Sequence, residues 1–414
     1  MYDSSYNYFT LERQLYRSDF LAHPSLKMSV DRERTIQHSV RRSNDNQNFF
    51  IGLKKGNVKG KHILRSTEIS DDLIIRKTTQ NLRRALNRPT TNRNNAALNC
   101  YALLKESTPY LVYRLDIKSF YESFEYNHIK NTLRDLVSPR TRLITLNLID
   151  HWNSMGGKGI PRGLPLGHTL SDLLMEGFDH TLINNDHVYF YARYVDDIVI
   201  FTKDDTSPKN FIPFIKESLP PGLAINKRKT HVRYATPLKG QPNLKSPTAK
   251  RNFNLEYLGY VFHVTTTGSS RRECHLDIAP SKVRKKKTQI VLAFREFTKN
   301  RNFKLLHHRL QYLTSNFSVY DINHHTRRLA GIYYSYPLID IDQSVATKHL
   351  DRFLKASLLS RKGQVSSRFQ DATTAAQRRE LLTLSFSDGA KNRIFTHFSS
   401  SQLRQIQKCW RYVL

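Results

Sequence analysis

Apolar residues recur at near-helical spacing from Ile69 to about Leu86, in "ISDDLIIRKTTQNLRRAL", behind a Ser/Asp start suited to capping. The pattern predicts a basic helix, followed by a loop in "NRPTTNRNN". The period then changes. "YLVYRLDI", residues 110–117, is rich in β-branched and aromatic residues and predicts a buried strand, with helices to follow at about 127–137 and 141–153. A glycine-punctuated segment, "MGGKGIPRGLPLGH", leads to a helix over about 169–183, and "YFYARYVDDIVIFT", residues 189–202, predicts strand, turn and strand. A helix at about 208–218 and short strands near 231–234, 255–264 and 274–279 complete an alternating α/β block. Residues 1–60 are polar and irregular, with "RRSNDNQNFF" reading as a loop, and from Ser281 onward the pattern turns helical. No repeat of solenoid length interrupts this order.

Charge changes the picture most. The chain carries 66 Lys and Arg against 35 Asp and Glu, a formal net charge of +31. Charge of this size repels itself in a compact chain, which favours a polyanionic partner over a merely soluble surface. The excess is densest at the C-terminal end, where residues 281–414 hold 25 Lys and Arg against 8 Asp and Glu, a net of +17. With 414 residues and 39% hydrophobic content, two or three domains or lobes with large cores are expected. Cys100, Cys274 and Cys409 lie far apart with no CxxC pair, so neither a disulfide framework nor a zinc site is predicted, and a reducing cytosol fits. The N-terminus lacks a continuous apolar core and no later run approaches the ~18 apolar residues of a membrane span, so a soluble, cytoplasmic protein with no membrane partner is expected.

Against that basic background, Asp196 and Asp197 stand side by side at a turn between two apolar strands. Adjacent carboxylates repel unless a cation sits between them, and hard oxygen ligands suit Mg²⁺. A solvated Asx turn would explain the pair alone, but the flanks "YFYARY" and "IVIF" are too apolar for a surface tip. A third carboxylate, Asp116, ends the strand 110–117, 80 residues upstream of Asp196. If the two strands are neighbours, three carboxylates converge at one sheet edge, an arrangement suited to two-metal phosphoryl transfer.

"RLDIKSFYESF", "GIPRGLPLGHTLS", "YARYVDD", "LAINKRKTHVRY" and "LEYLGYVF" are similar, in this order and spacing, to the five palm motifs of reverse transcriptases. The resemblance covers roughly residues 60–300, and the wording of the motifs resembles bacterial retron-like and abortive-infection-like enzymes. It implies an α/β right-hand polymerase fold. The N-terminal segment and fingers would occupy 1–105. A palm with a mixed or antiparallel sheet and helices would occupy 106–280, with a fingers insertion around 127–165, and a basic, mostly helical thumb 281–414. The implied activity is RNA-directed DNA synthesis with two Mg²⁺ ions, or Mn²⁺, acting on deoxynucleoside triphosphates, an RNA template and a DNA product. The implied setting is antiphage defence with a dedicated noncoding RNA, a protein partner or a homo-oligomer. Two alternatives are a template-independent or protein-primed nucleotidyltransferase of the same fold, and a degenerate scaffold that only binds RNA.

The resemblance also assigns residues. Asp116, Asp196 and Asp197 would hold the metals together with the backbone carbonyl of Ile117, and Lys229 would protonate the leaving phosphates. Tyr121 would be the steric gate against a ribose 2′-hydroxyl. Pro165, Leu166 and Gly167 would line the nucleotide site, with Leu166 replacing the glutamine usual there and His168 as its polar substitute. Arg76, Lys77, Arg83, Arg84 and Arg88 would supply triphosphate contacts from the fingers. Tyr194, Gly259, Tyr260, Lys285, Lys286 and Lys287 would contact nucleic acid, the three lysines from the five-cation run "KVRKKK" at 282–287.

Overall fold

The computed structural model describes residues 2–45, 49–58, 60–86, 92–235, 252–267, 271–321, 323 and 326–411. They form a mixed α/β fold of two compact units, the first drawn from 1–93 and 109–236, the second from 94–108 and 251–414. The strands after residue 251 group with the C-terminal helices.

Strands are numbered in chain order. β1 (Leu53–Val58) and β2 (Lys61–Ser66) form a hairpin. β3 (Tyr110–Asp116), β4 (Val188–Tyr194), β5 (Asp197–Lys203) and β6 (His231–Ala235) form an antiparallel sheet in the order β4-β5-β3-β6. β7 (Phe253–Tyr257), β8 (Tyr260–Thr267) and β9 (Arg271–Ile278) form a second sheet, and β10 (Asn316–Asp321) and β11 (Thr326–Gly331) a second hairpin.

In the first unit β3 is the centre, and its continuous apolar run is buried at every position except Arg114. A strand with neighbours on both edges and helices packed on it reads this way in sequence. The helix Pro165–Ile183 buries Leu166, Leu170, Leu173, Leu174 and Phe178 and packs against Ile69–Ala85. It begins four residues earlier than its apolar periodicity predicts, because Pro165 is preset for the first helical turn. Pro139–Ser154 starts the same way, with Ser138 accepting a hydrogen bond from the Thr141 N–H.

The largest departure is at the N-terminus. Residues expected to be irregular form the helices Tyr8–Glu12, Arg17–Ala22 and Ser29–Asn44 and the strand β1. Tertiary contacts stabilise them. The buried Arg42 pairs with the fully buried Asp71 at 2.7 Å, and the Asp71 carboxylate also accepts the Gly52 N–H at 2.8 Å. Helix formation thus depends on partners that local periodicity does not display.

In the second unit Phe294 of the helix Pro280–Asn300 stacks on Phe369, with ring centroids 4.3 Å apart. The buried Asp277 of β9 accepts from the Ser344 hydroxyl at 2.6 Å and the Ala346 N–H at 2.8 Å, fixing the start of the helix Val345–Leu359. The β10–β11 hairpin interrupts the helical pattern expected there. Cys100 and Cys274 are buried free thiols, and Cys409 is also free. Among the described residues no helix is long and apolar enough to cross a membrane.

Candidate active site

The sheet register brings the predicted carboxylates together. β3 and β5 pair with Asp116 directly opposite Asp197, and Tyr194 lies opposite Asp197 across the β4–β5 hairpin, so Val195 and Asp196 form its two-residue tip. Val195 holds φ +62°, a conformation that costs a β-branched residue about 1–3 kcal/mol. The Ile117 N–H donates to the Asp196 carbonyl at 3.2 Å, and the Asn226 N–H donates to the Asp116 carbonyl at 2.7 Å. Two strand ends and the 224–229 segment are thereby tied at one place.

An ion network braces the strained tip. Arg193 is buried and grips Asp179 with two bonds, Nε to Oδ1 at 2.8 Å and Nη2 to Oδ2 at 2.6 Å. Its Nη1 reaches Asp172 at 3.0 Å and the Val195 carbonyl at 3.3 Å. The Tyr191 hydroxyl also donates to Asp179, at 2.5 Å. The exposed His168 stands 3.6 Å from Asp172 at the rim of this network.

Each carboxylate has its own surroundings. Asp116, 7% exposed, accepts from Lys229 Nζ at 2.9 Å and from the Asn226 side-chain amide at 3.1 Å. Asp197 accepts from Arg114 Nε at 3.1 Å. Burial raises the Asp196 carboxyl above the ordinary range. The Asp116 charge adds to the rise, while a backbone hydrogen bond and the Lys229 and Arg162 cations oppose it. Among the described residues no group of three or more His, Cys, Asp and Glu side chains stands ready to hold a metal ion. Side-chain cations occupy two of the three carboxylates. The donors are nonetheless hard oxygens, with Asp116 and Asp197 opposite each other and the Asp116 charge felt at Asp196, and this set fits Mg²⁺ or Mn²⁺.

Tyr121 lies beside the carboxylates, half-buried, its phenol pushed up mainly by burial and partly by Asp172 and Asp196. The Arg162 guanidinium covers its ring at 4.5 Å and pairs with Glu122 through two bonds of 2.7 and 3.1 Å. The glycine-rich loop is threaded closely past this residue. At Gly159, φ +60°, a Cβ would stand 2.3 Å from the Tyr121 carbonyl oxygen, and at Gly163, φ +98°, 2.6 Å from that of Leu64. Only glycine meets both demands. The Leu64 N–H donates to the Arg162 carbonyl at 2.7 Å, fastening β2 to the loop.

Several expected contacts are placed elsewhere. Leu166 is 1% exposed and packs in the apolar core rather than at an open nucleotide site. Gly167 is buried beside it, and Pro165 is exposed. Arg76 is taken by Asp19 at 2.6 Å, buried Lys77 by Asp3 O at 2.6 Å and Tyr2 Oη at 3.2 Å, and Arg84 lies over the Tyr2 ring, all in the N-terminal segment. Arg83 is exposed, and Arg88 lies outside the described residues. Tyr194 is exposed. Within the second unit, Tyr260 is fully buried against Phe262 and Tyr336, while the Gly259 carbonyl accepts the Ala279 N–H. Lys286 and Lys287 turn inward over the rings of Phe386 and Phe353, and Lys285 alone of the three is exposed. Helical geometry is the reason, since positions 286 and 287 share a face with buried Val283 and Ile290.

The reading of the sequence passed over Arg114, Asn226, Arg162 and Arg193. Arg114 was detectable by parity, because a strand residue two before Asp116 leaves the same sheet face. The roles of the other three depend on pairings far apart in sequence.

Residues 63–262 match the family described as reverse transcriptase (RNA-dependent DNA polymerase). That span includes Asp116, Asp196, Asp197 and Lys229. No curated protein matches the chain. Among solved structures it is similar to telomerase from Candida albicans in complex with the TWJ fragment of telomeric RNA, at 11% identity and a TM-score of 0.35. That similarity covers 89% of this chain and 62% of the telomerase chain.

Proposed function

We propose that this chain is an RNA-directed DNA polymerase whose Asp116, Asp196 and Asp197 hold two Mg²⁺ ions for nucleotidyl transfer. One observation carries the reading: the register that sets Asp116 opposite Asp197 and Asp196 at the adjoining tip lies inside the span that matches reverse transcriptases. When bound, the ions would activate the attacking 3′-hydroxyl and offset charge on the departing pyrophosphate.

The chain's own residues do the rest. Asp116 and Asp197, fixed by strand pairing, and Asp196, fixed by the braced tip, present oxygens at one edge. Lys229 is 58% exposed at its side chain and is the proton donor for the leaving phosphate. Tyr121, backed by Phe120 and covered by Arg162, is the wall against a ribose 2′-hydroxyl. Ile117 contributes its carbonyl as a further oxygen. The fingers, palm and thumb division, the RNA template and the antiphage setting with a noncoding RNA or protein partner are part of the same proposal. They are supported by the motif wording and by the net +17 of residues 281–414.

The test is primer extension on an RNA template with Mg²⁺. Asp197→Asn is expected to lose incorporation by about a hundredfold or more while remaining folded. Incorporation at the parental rate by folded Asp197→Asn protein refutes the assignment. Extension that ignores the template sequence would favour template-independent transfer, and no extension by the parent would favour an RNA-binding scaffold.

A further inference from the structure

Arg114 is the one charged side chain within β3 before its terminal aspartate, and in so apolar a strand a cation needs a partner. It has two. Nε bonds Asp197 Oδ1 at 3.1 Å and Nη1 bonds the Lys229 carbonyl at 3.1 Å, with the side chain only 16% exposed. Lys229 in turn sends Nζ to Asp116 Oδ1 at 2.9 Å. Asp197, Arg114, Lys229 and Asp116 thus form a closed chain of contacts, in which each strand-end carboxylate has a side-chain cation and the two cations are tethered to each other.

We propose that Arg114 is a positioning residue that acts as a resident counter-ion. It holds Asp197 and the Lys229 segment together in the ion-free protein, and competes with a divalent cation for the Asp197 carboxylate. The inference rests on the metal-dependent reading above. Two consequences follow from the contacts. A divalent cation that takes Asp197 deprives Arg114 of its anion, so loading is opposed in proportion to that ion pair. The same event leaves Arg114 attached only through the Lys229 carbonyl, so occupancy at Asp197 is felt by the segment that carries Lys229. A residue that merely braced Asp197 would have the opposite effect on affinity, because its loss would disorder a ligand.

The sign of the change therefore decides. Mn²⁺ alone, without nucleotide or primer, is titrated into the full chain and free Mn²⁺ is read by electron paramagnetic resonance. Arg114→Gln is expected to bind Mn²⁺ about tenfold more tightly than the parent or better, since a unit charge a few ångströms away in partly buried surroundings is worth at least that much. Arg114→Lys retains the charge and is expected to stay within about threefold of the parent. Arg114→Met supplies a second charge-free variant of different shape should the glutamine not fold. Asp116→Asn and Asp197→Asn are expected to lose the tight site. If both aspartate variants lose it while the charge-free Arg114 variants bind no tighter than the parent, the counter-ion role is overturned and the metal reading stands. If the aspartate variants bind Mn²⁺ as the parent does, the metal reading itself has failed, and this inference with it.

Discussion

Replacing Lys286 with Met should stabilise the second unit at neutral pH, against the expectation for a lysine in a nucleic-acid-binding run. Its ammonium lies 5.6 Å from the Phe386 ring, and burial, with a smaller contribution from Lys285, lowers its pKa from 10.5 to about 8. Between those values the folded chain binds fewer protons than the unfolded chain, so stability rises with pH across that window. Below about pH 8 the folded state carries the buried charge at full cost, and above about pH 10.5 the cost is gone. At about 1.4 kcal/mol per pH unit the separation amounts to about 3 kcal/mol. Loss of the contact with Phe386 offsets about 1 kcal/mol of this, leaving a net gain of about 2 kcal/mol for Lys286→Met at pH 7. Urea unfolding of both proteins from pH 6 to 10.5 measures it, and the gain should shrink to nothing by the upper limit. The same variant should leave the salt dependence of RNA affinity unchanged, whereas changing exposed Lys282, Arg284 and Lys285 to Gln should flatten it by up to about three phosphate contacts. A variant destabilised at pH 7, or stabilised equally at every pH, refutes the reasoning.

Two further outcomes are expected. Tyr121→Ala should raise ribonucleotide relative to deoxynucleotide incorporation in paired kinetic assays, and an unchanged ratio in an active variant moves the gate elsewhere. Arg193→Met should cost about 3–5 kcal/mol in thermal unfolding by leaving Asp179 and Asp172 without their shared cation, and Arg193→Met with Asp179→Leu should recover part of that loss. A double variant no more stable than the single one would mean that the network is not what Arg193 supplies.

Much of the first unit was legible because its signals are local. The β-branched and aromatic run 110–117 pointed to a buried strand, and the apolar flanks of the Asp pair favoured a hairpin tip with a charge to balance over a solvated turn. The glycine-punctuated segment before the helix was legible as a loop, although the close approach of Gly159 and Gly163 to other backbone was not. What escaped depends on distant partners. Ser29–Asn44 has few apolar positions and is secured by Arg42 meeting Asp71, and Arg193 acquires its meaning only from Asp179 across a strand–helix contact. The burial of Leu166 was not legible, because a motif position does not fix a side chain's direction and the helix turns this one into the core. The inward turn of Lys286 and Lys287 was available from periodicity, which places them on the stripe that includes Val283, Ile290, Phe294 and Phe297.

The helix Arg93–Leu104 and the residues after it bear on synthesis of the chain at the ribosome. Arg272 of β9 donates to the carbonyls of Glu106 and Thr108, and the Glu106 partner lies 166 residues earlier in the chain. At roughly 5–20 residues per second, translation leaves Cys100 without its β9 neighbour Cys274, and the Glu106 and Thr108 carbonyls without Arg272, for about 10 to 30 s. During that interval the nascent chain displays a segment, with Ala96, Ala97, Cys100 and Leu104 on it, that belongs to a unit not yet made. Slowed translation after codon 108 should therefore increase chaperone capture and aggregation in the cell, while refolding of the finished chain, in which both segments are present from the start, escapes that hazard.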